Sequence, residues 1–151
     1  MNQNMQNDYA LLLIRSYRQL TGHVLLPLAN PAEAATALFN APFVVLSHNT
    51  LSDPVFVYAN RAAQQRFAMT EDQIIGLPSR YSAEPLARSE RQRLLDIVAR
   101  QGYIDDYCGV RIDRMGNRFE VRNATVRNVI DEEGRLHGQA ATFSEWIDIA
   151  A

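Results

Sequence analysis

The polar groups best placed for chemistry lie on the last two of three β-rich stretches near the C-terminus: Asn123, Thr125 and Gln139. Side chains alternate along a strand. In the stretch 118–130, Phe119 and Val121 therefore share a face with Asn123, Thr125 and Arg127. In the stretch before it, Ile104, Cys108, Val110 and Ile112 share a face; in the one after it, Gln139, Ala141 and Phe143 do. If these faces line one core, Asn123, Thr125 and Gln139 point into it beside Cys108. A few converging amides in an apolar wall suit a small planar ligand. The alternative is that these groups satisfy one another or hold water. Ser79 and Arg80 stand in a Pro-flanked loop that would cover the mouth. There Arg80 either grips a carboxylate or phosphate of the ligand bidentately or ties the loop to backbone carbonyls or an acid.

Other chemistries find less support. His23, His48 and His137 are scattered, and no pair has metal-ligand spacing, so no metal site is expected. An acid–base pair could be built from Asp105 or Asp106 with His137, although surface placement suits them better. All 15 basic residues are arginine. The absence of lysine excludes lysine Schiff-base chemistry, a pyridoxal-lysine aldimine and a Walker-type phosphate loop. No nucleophile elbow or dinucleotide fingerprint is present. Arg88, Arg91, Arg93 and Arg100 alternate with Glu90 and Asp96 and read as a solvated, salt-bridged helix face.

The chain that positions these groups has 151 residues, 47% hydrophobic and 21% charged, with net charge −2. That is ordinary for one globular domain, and the interspersed charge leaves no electrostatic footprint for nucleic acid. The single cysteine and the lack of a signal-like start imply a reducing, cytoplasmic setting. No apolar run is long enough to span a membrane.

Residues 1–7 are polar and expected to fray. Residues 8–20 read as a helix capped by Asp8, with apolar positions on more than one side. Such a helix needs two partners, and Leu13 and Tyr17 are candidates for a contact with a second subunit. Asn30-Pro31-Ala32-Glu33 starts a second helix. β-rich runs follow at 43–47 and 54–59. Asn60 is a good cap for the helix pattern RAAQQRF. Thr70 and Gln73 have capping-box spacing, and Gly76 can end that helix. A longer helix runs to Gly102, beginning either at Pro85 or at Ser89. Three strands joined by Gly-containing turns close the domain: 103–112, 118–130 and 136–146. Tyr103, Tyr107 and Arg111 would lie on the open side of the first of these, a composition that suits an interface.

The order of strand, Asn60, Ala62-Ala63, Phe67, Glu71 and Gly76 resembles the first half of a PAS domain. The wording is more similar still to the MEKHLA group of PAS-like domains. APFVVLSHNTLSDPVFVYANRAA, LPSRYSAEP, RQGYIDDYCGVRI and GQAATF stand in that family's order and cover most of 41–146. The resemblance implies an α+β fold: a PAS-like five-stranded antiparallel sheet with short helices on one face. Residues 1–40 would form an N-terminal helical extension and 41–151 the PAS-like domain. The leading reading is a PAS-like, non-catalytic sensory or interaction module that binds a small ligand or a protein partner, works as a homodimer and signals in trans. Non-covalent flavin is compatible with amides on the late strands. Cysteine-adduct photochemistry is not expected, because GLPSRYSAEP has no cysteine, and haem is not expected, because the long helix has no histidine. The other readings are a small cavity enzyme using the Asp/His pair and a ligand-free dimerisation scaffold.

Overall fold

The computed structural model describes residues 3–150. Its chain runs α1 (Gln3–Thr21), a 3-10 turn (Pro31–Glu33), α2 (Ala34–Phe39), β1 (Val44–His48), β2 (Phe56–Ala59), α3 (Arg61–Arg66) and α4 (Glu71–Ile74). A second 3-10 turn (Ser79–Ser82), α5 (Pro85–Gln101), β3 (Tyr103–Ile112), β4 (Arg118–Ile130), β5 (Leu136–Phe143) and β6 (Glu145–Asp148) complete it. All the strand pairings are antiparallel, in the order β2-β1-β5-β4-β3, and β6 returns to pair with β4. The fold is thus α+β with an antiparallel sheet, as the sequence implies.

Two details differ from expectation. α1 begins at Gln3, so Asp8 lies inside it and is not its cap; the fraying expected of Met1 and Asn2 lies outside the described residues. The single strand expected over 136–146 is broken at Ser144. β5 pairs with the second half of β4 and β6 with the first half.

Local chemistry explains the inner elements. Asn60 is fully buried and acts as a four-way tie. Its Oδ1 accepts from Ala63 N–H at the start of α3 and from Val45 N–H in β1, both at 3.0 Å. Its Nδ2 donates to the carbonyls of Leu38 (3.2 Å) and Phe43 (2.8 Å). One side chain thereby holds the end of α2, the start of β1 and the start of α3. The Gln73 side chain returns to Thr70 N–H at 3.0 Å, the capping-box bond expected for α4.

The sheet separates two apolar layers. On the inner face, Val44, Leu46, Phe56, Phe119, Val121, Ala124 and Phe143 pack against Ala63, Phe67 and Ile74, while Leu94, Leu95 and Val98 of α5 pack against Val126. On the outer face, α1 and α2 lay Ala10, Leu13, Ile14, Ala34 and Leu38 on Val45, Val129 and Ala140. Each Leu or Val side chain so buried contributes about 1.5–3 kcal/mol. The extension is therefore docked in cis on the sheet face that sequence reading left open.

Candidate functional site

α5 does not close fully on the inner face. Between them lies a cavity of about 70 Å³. Its walls are apolar: Leu46, Phe56, Phe67, Leu94, Leu95, Val121, Val126 and Phe143. Its polar groups include His48, Arg91, Gln139, Tyr107 and Arg111, with Ser47 and Ser82. Gly138, with φ +152°, lets β5 approach the end of β1 so closely that a Cβ there would collide with the His48 carbonyl. That approach brings His48 opposite Gln139.

Three of them, His48, Arg91 and Gln139, form one hydrogen-bonded chain with Ser79 and Asn128. Gln139 Nε2 donates to the Leu95 carbonyl (3.0 Å) and to Asn128 Oδ1 (3.3 Å). Its Oε1 is thereby turned to the His48 ring, 3.1 Å from Nε2. An amide oxygen only accepts, so Nε2 carries the proton and Nδ1 is bare. Ser79 Oγ, 3.0 Å away, donates to Nδ1 and accepts from Arg91 Nη2 at 2.7 Å. The His48 pKa is lowered to about 4, chiefly by burial and further by Arg91. A proton on Nδ1 would also meet a hydroxyl already fixed by a cation. The chain holds a neutral imidazole in one tautomer.

Of the residues expected to meet a ligand, Gln139 lines the cavity and Ser79 is buried behind it, joined to His48 and Arg91. The other four are corrections. Asn123 is exposed and donates to Glu145 at 2.9 Å. Thr125 is opposite Thr142, away from the cavity-facing pair Val126 and Ala141. Cys108 is exposed. Arg80 forms a bidentate pair with Asp53, both bonds 3.1 Å, the alternative in which it ties the loop to an acid.

For Asn123, Thr125 and Cys108 the reason is two bulges. Asp106 (φ 54°) and Asn123 (φ 55°) take left-handed backbone conformations. Asp105-Asp106 stand against Thr125 alone, and Arg122-Asn123 against Cys108 alone. Each extra residue reverses strand parity. Val121 is therefore followed on the inner face by Ala124 and Val126, and Ile104 by Tyr107, Gly109 and Arg111.

The same bulges move two of the five residues expected at an interface. Tyr107 and Arg111 line the cavity. Leu13 is fully buried within the chain. Tyr17 lies 5.4 Å from the Arg127 guanidinium, and Tyr103 pairs with Arg127 on the outer face. The Asp/His pair does not form in the cavity: His137 bonds Asp131 at 2.9 Å in the β4–β5 turn, and Asp105 and Asp106 are exposed.

Sequence reading missed His48 and Arg91. A signal existed for each. His48 continues the alternation of Val44 and Leu46 by one step. Arg91 stands three and four residues before Leu94 and Leu95, on one helix face, and is 8% exposed, not part of the solvated face expected.

Among the described residues no cluster of three potential metal ligands occurs and no helix is long and apolar enough to cross a membrane. The cavity does not fit a flavin in this arrangement. It has about half the volume of the roughly 150 Å³ cavity that takes one benzene ring, and its polar end is filled by bonded side chains.

A model of the MEKHLA domain matches residues 7–148. No curated protein matches the chain. Solved structures do. A PAS domain from Colwellia psychrerythraea superposes with TM-score 0.63 at 15% identity, covering 78% of this chain and 94% of that one. The light-state dimer of the fungal blue-light photoreceptor Vivid superposes at 0.62 and 16%, covering 91% and 92%. A light-oxygen-voltage domain studied with a flavin analogue gives 0.60 and 14%, covering 77% and 84%. At such identities the likeness is one of fold.

Proposed function

The chain belongs to the MEKHLA domain family and has a PAS-like fold, and from that premise we propose that it is a sensory module that binds a small ligand in the cavity between the sheet and α5. The observation that carries this reading is the chain Arg91–Ser79–His48–Gln139 beside a cavity whose other walls are largely apolar. A few fixed polar groups in an apolar wall give orientation and specificity to a small molecule. Ligand would favour one arrangement of sheet, α5 and α1 over another, and the difference would be read by a partner protein. A second copy of the chain is the other partner expected.

Native mass spectrometry and an absorbance spectrum of gently purified protein test this. A stoichiometric added mass that Gln139→Leu abolishes supports the sensor. Bare mass, with no ligand found on screening, leaves the dimerisation scaffold. The subunit count from the same spectrum tests the homodimer.

A second reading has one observation in its favour: the Ser79 hydroxyl donates to an imidazole, as in acyl transfer. The third group is Gln139, an amide, where a carboxylate would steady an imidazolium. Turnover of an activated ester that Ser79→Ala removes would favour this enzyme over the sensor.

A further inference from the structure

The cavity holds two guanidinium groups, and no Asp or Glu lines it. Arg91 is 92% out of solvent, the complement of its 8% exposure, and among the described residues it has one hydrogen bond, to Ser79 Oγ. Arg111 enters from β3 and is half-buried. Its Nη1 donates to the carbonyl of the adjacent Val110 at 2.8 Å and its Nη2 lies 3.4 Å from the Tyr107 hydroxyl. Neither arginine has a salt-bridge partner among the described residues. Asp53, the acid that acts on Arg91, is exposed and held by Arg80.

Two cations that share a poorly solvated space repel each other. Burial and then Arg111 bring the Arg91 pKa down to about 10, so Arg91 remains charged near neutrality. Buried charge without a partner is costly, and a structural role for Arg91 would be met by its bond to Ser79 alone. Much of the remaining lining is hydrocarbon: Leu46, Phe56, Val126 and Phe143. The volume is small.

Resting on the sensory reading above, we propose that the ligand is a short-chain carboxylate. Its carboxylate sits at Arg91 and Arg111, and its tail, of propionate or butyrate size, lies on the apolar wall. A planar guanidinium suits a carboxylate by charge-assisted hydrogen bonds. An inorganic anion would satisfy the cations and leave the apolar wall unused.

The test is a titration of the full chain, in carboxylate-free buffer, with butyrate, with its neutral isostere butyramide and with inorganic phosphate, followed by calorimetry and backbone amide shifts. Butyrate is expected to saturate and to move the amides of Gln139 and Ala141. Butyramide should bind about 10- to 100-fold more weakly, the range of one or two charge-assisted bonds. Arg111→Gln, a change at the half-exposed side chain, should lose that discrimination while retaining the fold. Asn123→Ala should bind as the wild type does. Butyramide binding as tightly as butyrate, or phosphate binding more tightly, overturns the carboxylate and leaves the sensory reading standing. Absence of butyrate binding in protein that carries a co-purified neutral mass does the same. Absence of all binding in protein of bare mass overturns both.

Discussion

Asn60 shows how one side chain can join elements distant in sequence. Its four hydrogen bonds use both acceptor sites of the amide oxygen and both amide protons. Asn60→Ala removes a helix cap and takes a bond from Val45 N–H and from the Leu38 and Phe43 carbonyls, of which Leu38 keeps Ala41 N–H, so a loss of about 2–4 kcal/mol is expected from the denaturation midpoint. Asn60→Asp keeps the acceptor bonds but turns an oxygen toward the Leu38 and Phe43 carbonyls, and should cost at least as much. His48 sets a pH dependence. Its folded pKa of about 4 lies below the ordinary 6.5. The unfolded chain therefore binds the proton first as pH falls, and the stability due to the neutral imidazole is complete above pH 6.5 and lost between 6.5 and about 4. The shift corresponds to roughly 3 kcal/mol. Asp131, whose pKa is depressed first by its bond to His137, contributes in the same direction at lower pH. Urea denaturation across this range should thus be steeper in pH for the wild type than for His48→Gln. Equal slopes would refute the buried neutral histidine.

At the scale of elements, α1 rests on a buried charge. Arg127 is 0% exposed. It donates Nη2 to the Leu13 carbonyl at 2.7 Å, and its Nε and Nη1 have no partner among the described residues. Burial lowers its pKa to about 10, so it remains a cation. A charge of this kind weakens the seat of the helix above it. Arg127→Met should be neutral or stabilising by up to about 4 kcal/mol, as for other buried charges replaced by apolar side chains of similar volume. Amide exchange across 10–20 should slow in parallel. A clear loss of stability would show that Arg127 is a net tie between α1 and β4. The bulges at Asp106 and Asn123 act at the same scale. They carry no apolar signature, because their left-handed residues are polar and exposed, yet they choose which side chains of β3 and β4 meet the cavity.

For the whole molecule, the sheet is a partition with a small cavity on one side and a helical cover on the other. Val45, Val129 and Ala140 are buried under α1 and α2. Removing 1–30 would expose them together with Arg127. The truncated chain is expected to self-associate, seen as an early-eluting species in size-exclusion chromatography with light scattering. A well-behaved monomer would show that the cover is dispensable to the sheet. If the cavity and the cover communicate, they do so through β4 and β5, whose alternate residues face the two layers.

The order of elements could be read from the residues because its signals are local. Caps at Asn60 and Thr70, positive-φ glycines at Gly76, Gly102 and Gly116, and the Asp113-anchored turn before β4 each act within a few residues. Gln139 was readable for the same reason, since β5 alternates without interruption from Gln139 to Phe143. The membership of the cavity was not local. Alternation counted along 103–130 assigns Asn123, Thr125 and Cys108 to the inner face, and two bulged residues reverse that count. His48 and Arg91 look like ordinary polar residues until β5, the Ser79 turn and α5 close around them. Their burial, their charge states and their hydrogen bonds arise from partners 12 to 91 residues away, and only long-range packing brings those partners together.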